Sequence, residues 1–334
     1  EALGLALPGS TSIPAMDAAH TRMATTCGER IVQMVWDDLT PRQILTRGAF
    51  MNAVAVQMGL DGSTTAAVHI IALARRAGVD LTLDHLDAIG REVPVLANLF
   101  PSGDRLMEDF HYAGGLPALM SRITQHLFLD QRNVNGQTLG HNLEGVQVLD
   151  DAVIRPLSNP VSANGALAVL RGNLAPEGAV MKASAASPKF FKHRGRAIVF
   201  DNPAAMNQAC ADPNLDCDEN SVLVLRNAGP VGAPGMPEWG GLPIPKKLLD
   251  QGVRDMVRVS DARMSGTHYG SCILHVSPEA AIGGPLALVQ TGDWIEVDVA
   301  ARRLHLDVGD DELARRKAAW QPAPICAWIC TMAA

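Results

Sequence analysis

Two stretches of this chain concentrate the residue types that carry proton-transfer and metal chemistry. The first, Ser260-Asp-Ala-Arg-Met-Ser-Gly-Thr-His-Tyr-Gly270, follows an apolar run and crowds Ser260, Asp261, Arg263, Ser265, Thr267, His268 and Tyr269 into a strand-to-loop corner. Ser265-Gly266 has the form of an exposed nucleophile or base on a tight turn, and a serine hydroxyl ionises only with help from a base, a cation or a metal. The G-x-S-x-G pattern of an esterase elbow is missing, so a hydrolase triad fits poorly. A turn capped by Ser and Asp is the plainer alternative. The second stretch, Asn227–Gly241, surrounds a single carboxylate, Glu238, with Gly and Pro. Such a loop gives up side-chain packing and stiffens its backbone, which suits close approach to a ligand, although a long connection with a solvated Glu reads the same way.

Two further segments offer binding groups. Gly172–Ser187 is a Gly/Asn/Pro turn feeding a strand that carries Lys182, either a partner for a substrate carboxylate or a solvated Lys on a sheet edge. Asp61-Gly-Ser-Thr-Thr-Ala-Ala-Val-His69 presents Ser63, Thr64 and free backbone N–H groups at a helix start, which is an anion site or simply a capped helix. The six Cys, at 27, 210, 217, 272, 326 and 330, lack zinc-site spacing and are too scattered for a disulfide framework. A reducing cytoplasm is the expected compartment.

The elements that must position these groups change character along the chain. Residues 1–158 read mostly helical: Thr40-Pro41 starts a helix that runs to about Met58, and Ser63-Thr64 starts one that ends at Arg75-Arg76-Ala77-Gly78. The apolar run Val93–Phe100 reads as a buried strand of a parallel sheet, so helix, strand and helix in alternation predict an α/β layer. From 159 to 320 eight short runs (Ala166–Leu170, Ala197–Phe200, Val222–Leu225, Met256–Val259, Cys272–Val276, Leu286–Val289, Trp294–Val299, Leu304–Val308) predict a β-barrel-like domain. Residues 321–334 form an atypical tail. The opening Glu1–Leu7 reads as the end of a helix already under way, and hence the chain as a fragment.

With 334 residues, 47% of them hydrophobic, the chain can bury two cores. Its net charge of −7, without a basic block, argues against nucleic acid or an anionic membrane as partner, and its apolar runs fall short of the ~20 residues of a membrane span.

Five separated motifs, Leu5–Ala15, Leu106–Ala118, Gly172–Lys182, Asn227–Trp239 and Ser260–Gly270, resemble the dihydroxy-acid/phosphogluconate dehydratase family. Ser260–Thr267 and Lys182–Ser187 are similar to the pentonate (L-arabinonate-type) and other sugar-acid branch. The resemblance implies removal of water from a 2,3-dihydroxy acid, giving a 2-keto-3-deoxy acid. It also implies a [2Fe–2S] cluster, a Mg2+ ion and a homo-oligomer, a dimer or dimer of dimers. Residue by residue it makes Ser265 the base and Glu238 a Mg2+ ligand, with Ser63, Thr64, Lys182 and Thr267 toward the substrate. The family's Gly-Gly-Ser-Thr-Asn stands here as Asp61-Gly-Ser-Thr-Thr65.

None of the six Cys matches a cluster-ligand position, so the resemblance places those ligands upstream of residue 1. The 334-residue polypeptide alone is then expected to be inactive. Three alternatives accompany this reading: a dihydroxy-acid dehydratase of branched-chain amino-acid synthesis, a non-catalytic fragment keeping only binding and assembly surfaces, and, more distantly, a serine hydrolase.

Overall fold

The computed structural model describes residues 1–235, 237–264 and 269–322, and the chain divides into two compact units. Unit 1 comprises Glu1–Gly62 and Ala66–Ala166, and unit 2 takes Ser63–Thr65 with the chain from Leu167 onward.

Unit 1 is helical. Its central helix, Arg47–Gly59, begins at Thr46, whose hydroxyl accepts from the Ala49 amide, and buries Ala49, Phe50, Val54 and Met58 among its apolar residues. It packs against the helices Leu83–Glu92 and Gly115–Arg122. Each fully buried Phe or Leu there is worth about 1.5–3 kcal/mol. The predicted single helix from Thr40 is instead two, Pro41–Ile44 and Arg47–Gly59, because Thr46 caps a second start. Glu1–Leu7 is not helical but a series of turns, and the Glu1 carboxylate accepts from the Gly9 amide.

Val93–Phe100 is buried apart from Pro94 and Phe100, with isolated bridges at Val95, Ala97 and Leu99, but it joins no parallel sheet. The amides of Leu96 and Ala97 donate to Gly59 O, and those of Val95 and Asn98 to Ser162 O and Val153 O. A helix end and single loop residues thus take up the backbone groups that neighbouring strands would have satisfied.

Unit 2 is one eight-stranded sheet: β1 (Leu167–Leu170), β2 (Gly178–Lys182), β3 (Lys192–Phe200), β4 (Val222–Leu225), β5 (Arg258–Ser260), β6 (Cys272–Ser277), β7 (Trp294–Asp298) and β8 (Arg303–Asp307). The order is β1-β2-β6-β5-β4-β3-β7-β8, with β3, β4, β5 and β6 parallel in the middle. Every residue of β4 and β5 is buried, as expected of parallel strands covered on both faces.

The sheet is barrel-shaped and nearly closed. Just past β1, Arg171 exchanges backbone hydrogen bonds with Arg302 and Leu304, and the Asn173 amide spans both backbone groups of Leu306 in β8. Gly172 lies so close to the Leu304 carbonyl that a Cβ would sit 2.0 Å from its oxygen. One expected strand is absent: Leu286–Val289 forms a 3-10 turn led by Pro285, and β2 supplies the eighth strand.

Candidate active site

The two chemistry-bearing loops leave the carboxyl ends of adjacent parallel strands. Leu225 of β4 pairs in register with Ser260 of β5, so Asn227–Gly241 and Asp261–Gly270 start side by side. In open parallel sheets this strand end is where ligand-binding loops gather.

Two carboxylates, the buried Asp261 and the half-buried Glu279, fix the loop starts. Asp261, 2% exposed, accepts the Ala228 amide at 2.9 Å and the Ala280 amide at 2.8 Å. Burial outweighs those bonds and pushes its carboxyl up to about 6. Glu279 accepts the amides of Val231 (3.0 Å) and Gly232 (3.1 Å), and a Cβ on Gly229 would stand 2.6 Å from its Oε2. The first half of the Gly-rich loop therefore wraps the half-buried Glu279 carboxylate, and Gly229 leaves room for it.

The second half meets the serine loop. Glu238 Oε1 lies 3.2 Å from Arg263 Nη1, and the Gly240 amide donates to Arg263 O at 2.7 Å. A Cβ on Gly240 would come 2.6 Å from that carbonyl. From the other side Thr65 Oγ1 donates to Met264 O at 2.8 Å, with Ser63 Oγ at 3.5 Å from the same atom. Ser63 also caps its helix, accepting the Thr65 amide at 3.2 Å. Arg263 and Met264, the two residues before Ser265, are thus held by Glu238, Gly240 and Thr65.

The remaining candidates are placed as follows. Thr64 is 2% exposed, and its Oγ1 has no hydrogen-bond partner among the described residues. Lys182 ends β2, which lies between β1 and β6, and it is only 4% exposed. It is therefore not a solvated edge Lys, because the strand beside it denies it an edge. Ser265 and Thr267 lie outside the described residues. The sequence names Asp261 only as one member of a polar corner, and Thr65 and Glu279 not as site residues. The Ser63-Thr-Thr65 run was a signal for Thr65, while Glu279 carried none.

No group of three or more His, Cys, Asp or Glu among the described residues is arranged to hold a metal. Of the described thiols, Cys27 is exposed and Cys210 and Cys272 are buried. Burial pushes the Cys210 thiol up to about 11 and raises Cys217 and Cys272 as well, which opposes thiolate ligation. These residues do not fit an iron–sulfur cluster. For Mg2+ Glu238 offers one oxygen donor, fewer than a hard cation takes from a complete site. A cavity of about 490 Å3 lined by Lys189, Cys217, Glu219, Lys247 and Arg254 includes none of the candidate site residues.

The family model described as dihydroxy-acid/6-phosphogluconate dehydratase N-terminal matches residues 1–142, and its C-terminal counterpart matches 152–333. The chain belongs to this dehydratase family. It is 58% identical to a 6-deoxy-6-sulfo-D-gluconate dehydratase of Pseudomonas putida, over 96% of this chain and 56% of that protein. To an L-arabinonate dehydratase of Rhizobium leguminosarum bv. trifolii it is 51% identical, with the same coverage of 96% and 56%. A dihydroxy-acid dehydratase of Ignicoccus hospitalis is 45% identical over 96% of this chain and 58% of that protein. The chain spans about half the length of the curated relatives it matches. No helix among the described residues is long and apolar enough to cross a membrane.

Proposed function

We propose that this chain serves a hydro-lyase that dehydrates a sugar acid, an aldonate, to its 2-keto-3-deoxy acid. The observation that carries the reading is the pairing of Leu225 with Ser260, which starts the Glu238 and Ser265 loops together, reinforced by the Glu238–Arg263 contact. Names add weight: the relatives at 58% and 51% identity are sugar-acid dehydratases, and the dihydroxy-acid dehydratase stands at 45%.

In the proposed reaction C2 loses its proton, C3 loses hydroxide, and the resulting enol tautomerises to the 2-keto acid. Ser265 is the base that takes the C2 proton, which requires its Oγ within hydrogen-bond reach of that carbon's hydrogen. Lys182, Ser63, Thr64 and Thr267 bind the acid's carboxylate and hydroxyls. Glu238 is offered as an oxygen donor toward Mg2+. The described residues assemble neither the Mg2+ site nor a [2Fe–2S] site. A homo-oligomer in the cytoplasm, acting on a small sugar acid, completes the proposal.

The half-buried Ser184 and Ser187 near Lys182 suit a polyol better than the alkyl groups of a branched-chain precursor. The test is keto-acid formation by the holoenzyme carrying this chain, given L-arabinonate, other aldonates or 2,3-dihydroxyisovalerate. At least one aldonate should lead dihydroxyisovalerate by about a hundredfold in kcat/KM, since a site built for hydroxyls rejects an analogue lacking them. Preference for dihydroxyisovalerate would move the chain to the branched-chain reading.

A further inference from the structure

We infer that Arg258 is a positioning residue that ties the ends of three segments of the proposed site, at Ser187, Leu242 and Tyr269, to one buried ion pair. The functional half of this inference rests on the dehydratase reading; the structural half does not.

The guanidinium of Arg258 and the carboxylate of Asp255 are 3.3 Å apart, with side chains 5% and 4% exposed. Arg258 Nη1 donates to Leu242 O at 2.9 Å, just past the Gly-rich loop. Its Nη2 donates to Tyr269 O at 3.0 Å, at the close of the serine loop, and Nε donates to Met256 O at 3.2 Å. Asp255 accepts the Ser271 amide and hydroxyl, both at 2.7 Å, and the Ser187 amide at 2.9 Å. The ends of all three chemistry-bearing segments, 182–187, 227–241 and 260–270, therefore meet at this pair.

Gly270 supports the assignment independently. Its φ is +109°, and a Cβ there would sit 2.0 Å from Arg258 Nη2, so the backbone makes room for the guanidinium. The Gly270 amide in turn donates to Ala185 O at 3.0 Å, joining the serine loop to the Lys182 segment.

Stability alone does not call for this arrangement. A buried ion pair replaced by apolar residues of similar volume is often no less stable, because desolvation offsets the attraction. What an apolar pair could not do is fix three carbonyls and three donor groups at one point. Lys could not do it either: a single ammonium lacks the planar fork that reaches Leu242, Met256 and Tyr269 at once.

Hydrogen exchange on the chain reads the tie directly. Arg258→Lys keeps the buried charge and hence the fold, yet should raise exchange about tenfold at Gly240, Gly270 and Ser271, the cost of one charge-assisted hydrogen bond. The Ala197 amide, which donates to Asp293 O across the sheet, should stay unchanged. Asp255→Asn, which removes the charge at constant size, should give the same pattern. In the holoenzyme carrying this chain, Arg258→Lys should lower kcat on an aldonate about a hundredfold with little change in KM, as expected of a lost geometry. Exchange that rises evenly across the sheet, rises in one loop only or does not rise overturns the inference, as does an unchanged kcat. Wild-type holoenzyme that turns over no aldonate, with the local exchange pattern intact, counts against the dehydratase reading alone.

Discussion

The hydroxyl of Thr65 donates to the carbonyl oxygen of Met264 at 2.8 Å, across 199 positions of sequence. That bond ties the residue directly before Ser265 to Thr65, which belongs to the same compact unit. Gly240 and Glu238 hold Arg263, one residue earlier, from the other side. The serine loop thus departs from a clamped stem, and a clamped stem is what keeps a base within a fraction of an ångström of its working position.

Removing the Thr65 hydroxyl should loosen that stem. Thr65→Val keeps the shape and should cost about 1 kcal/mol of stability, the net worth of one neutral hydrogen bond. It should lower kcat about tenfold, since small misplacement of a base is expensive. Thr65→Asn brings an amide donor in place of the hydroxyl and should stay near wild type. Thermal unfolding and aldonate turnover on the three proteins check this.

Glu238 should act on the metal rather than on the fold. It is half-exposed and pairs with Arg263 at the surface, so Glu238→Gln should leave the melting temperature nearly unchanged. As a ligand it should raise the Mg2+ concentration needed for half-maximal activity by about tenfold or more. An unaltered Mg2+ requirement would remove Glu238 from the ligand set.

Asp261 gives the protein a pH signature. Burial lifts its carboxyl from 3.8 to about 6, so the folded state binds this proton more tightly than the unfolded chain does. The resulting stabilisation is complete below the unfolded pKa and is lost as pH rises toward about 6, by roughly 3 kcal/mol at most. Asp261→Asn has no such titration. Its stability relative to wild type should therefore improve from about pH 4 to about pH 7 in denaturant melts, whatever the fixed cost of the changed hydrogen bonds. A difference independent of pH would contradict the assignment.

Glu279 should matter to one loop. Glu279→Ala removes the acceptor of the Val231 and Gly232 amides, and should destabilise by about 0.5–1.5 kcal/mol, with exchange rising first at those two amides.

The strand runs of unit 2 were legible because short apolar stretches between Gly/Pro turns leave few other solutions, and seven of the eight expected runs carry a strand. Leu286–Val289 misled because an apolar run of that length does not reveal period, and Pro285 turned it into a 3-10 segment. The burial expected of Val93–Phe100 holds apart from Pro94 and Phe100. The pairing of that run failed because the partners that satisfy it, Gly59, Val153 and Ser162, are loop and helix-end atoms with no strand pattern. Glu238 and Ser265 stand out in the sequence by type and setting; the structure places Glu238 beside Arg263, and Ser265 lies outside the described residues. Asp255, Arg258 and Glu279 do not stand out, because what distinguishes them is distant backbone partners, with burial for the first two, and neither leaves a mark on local sequence.

The central claim is that Ser265 removes the C2 proton of an aldonate, and its most direct test is single-turnover formation of 2-keto-3-deoxy acid by Ser265→Ala in the holoenzyme carrying this chain. Loss of a general base should slow that step by about 10² to 10⁴-fold while the aldonate still binds. Turnover at the wild-type rate by Ser265→Ala would contradict it.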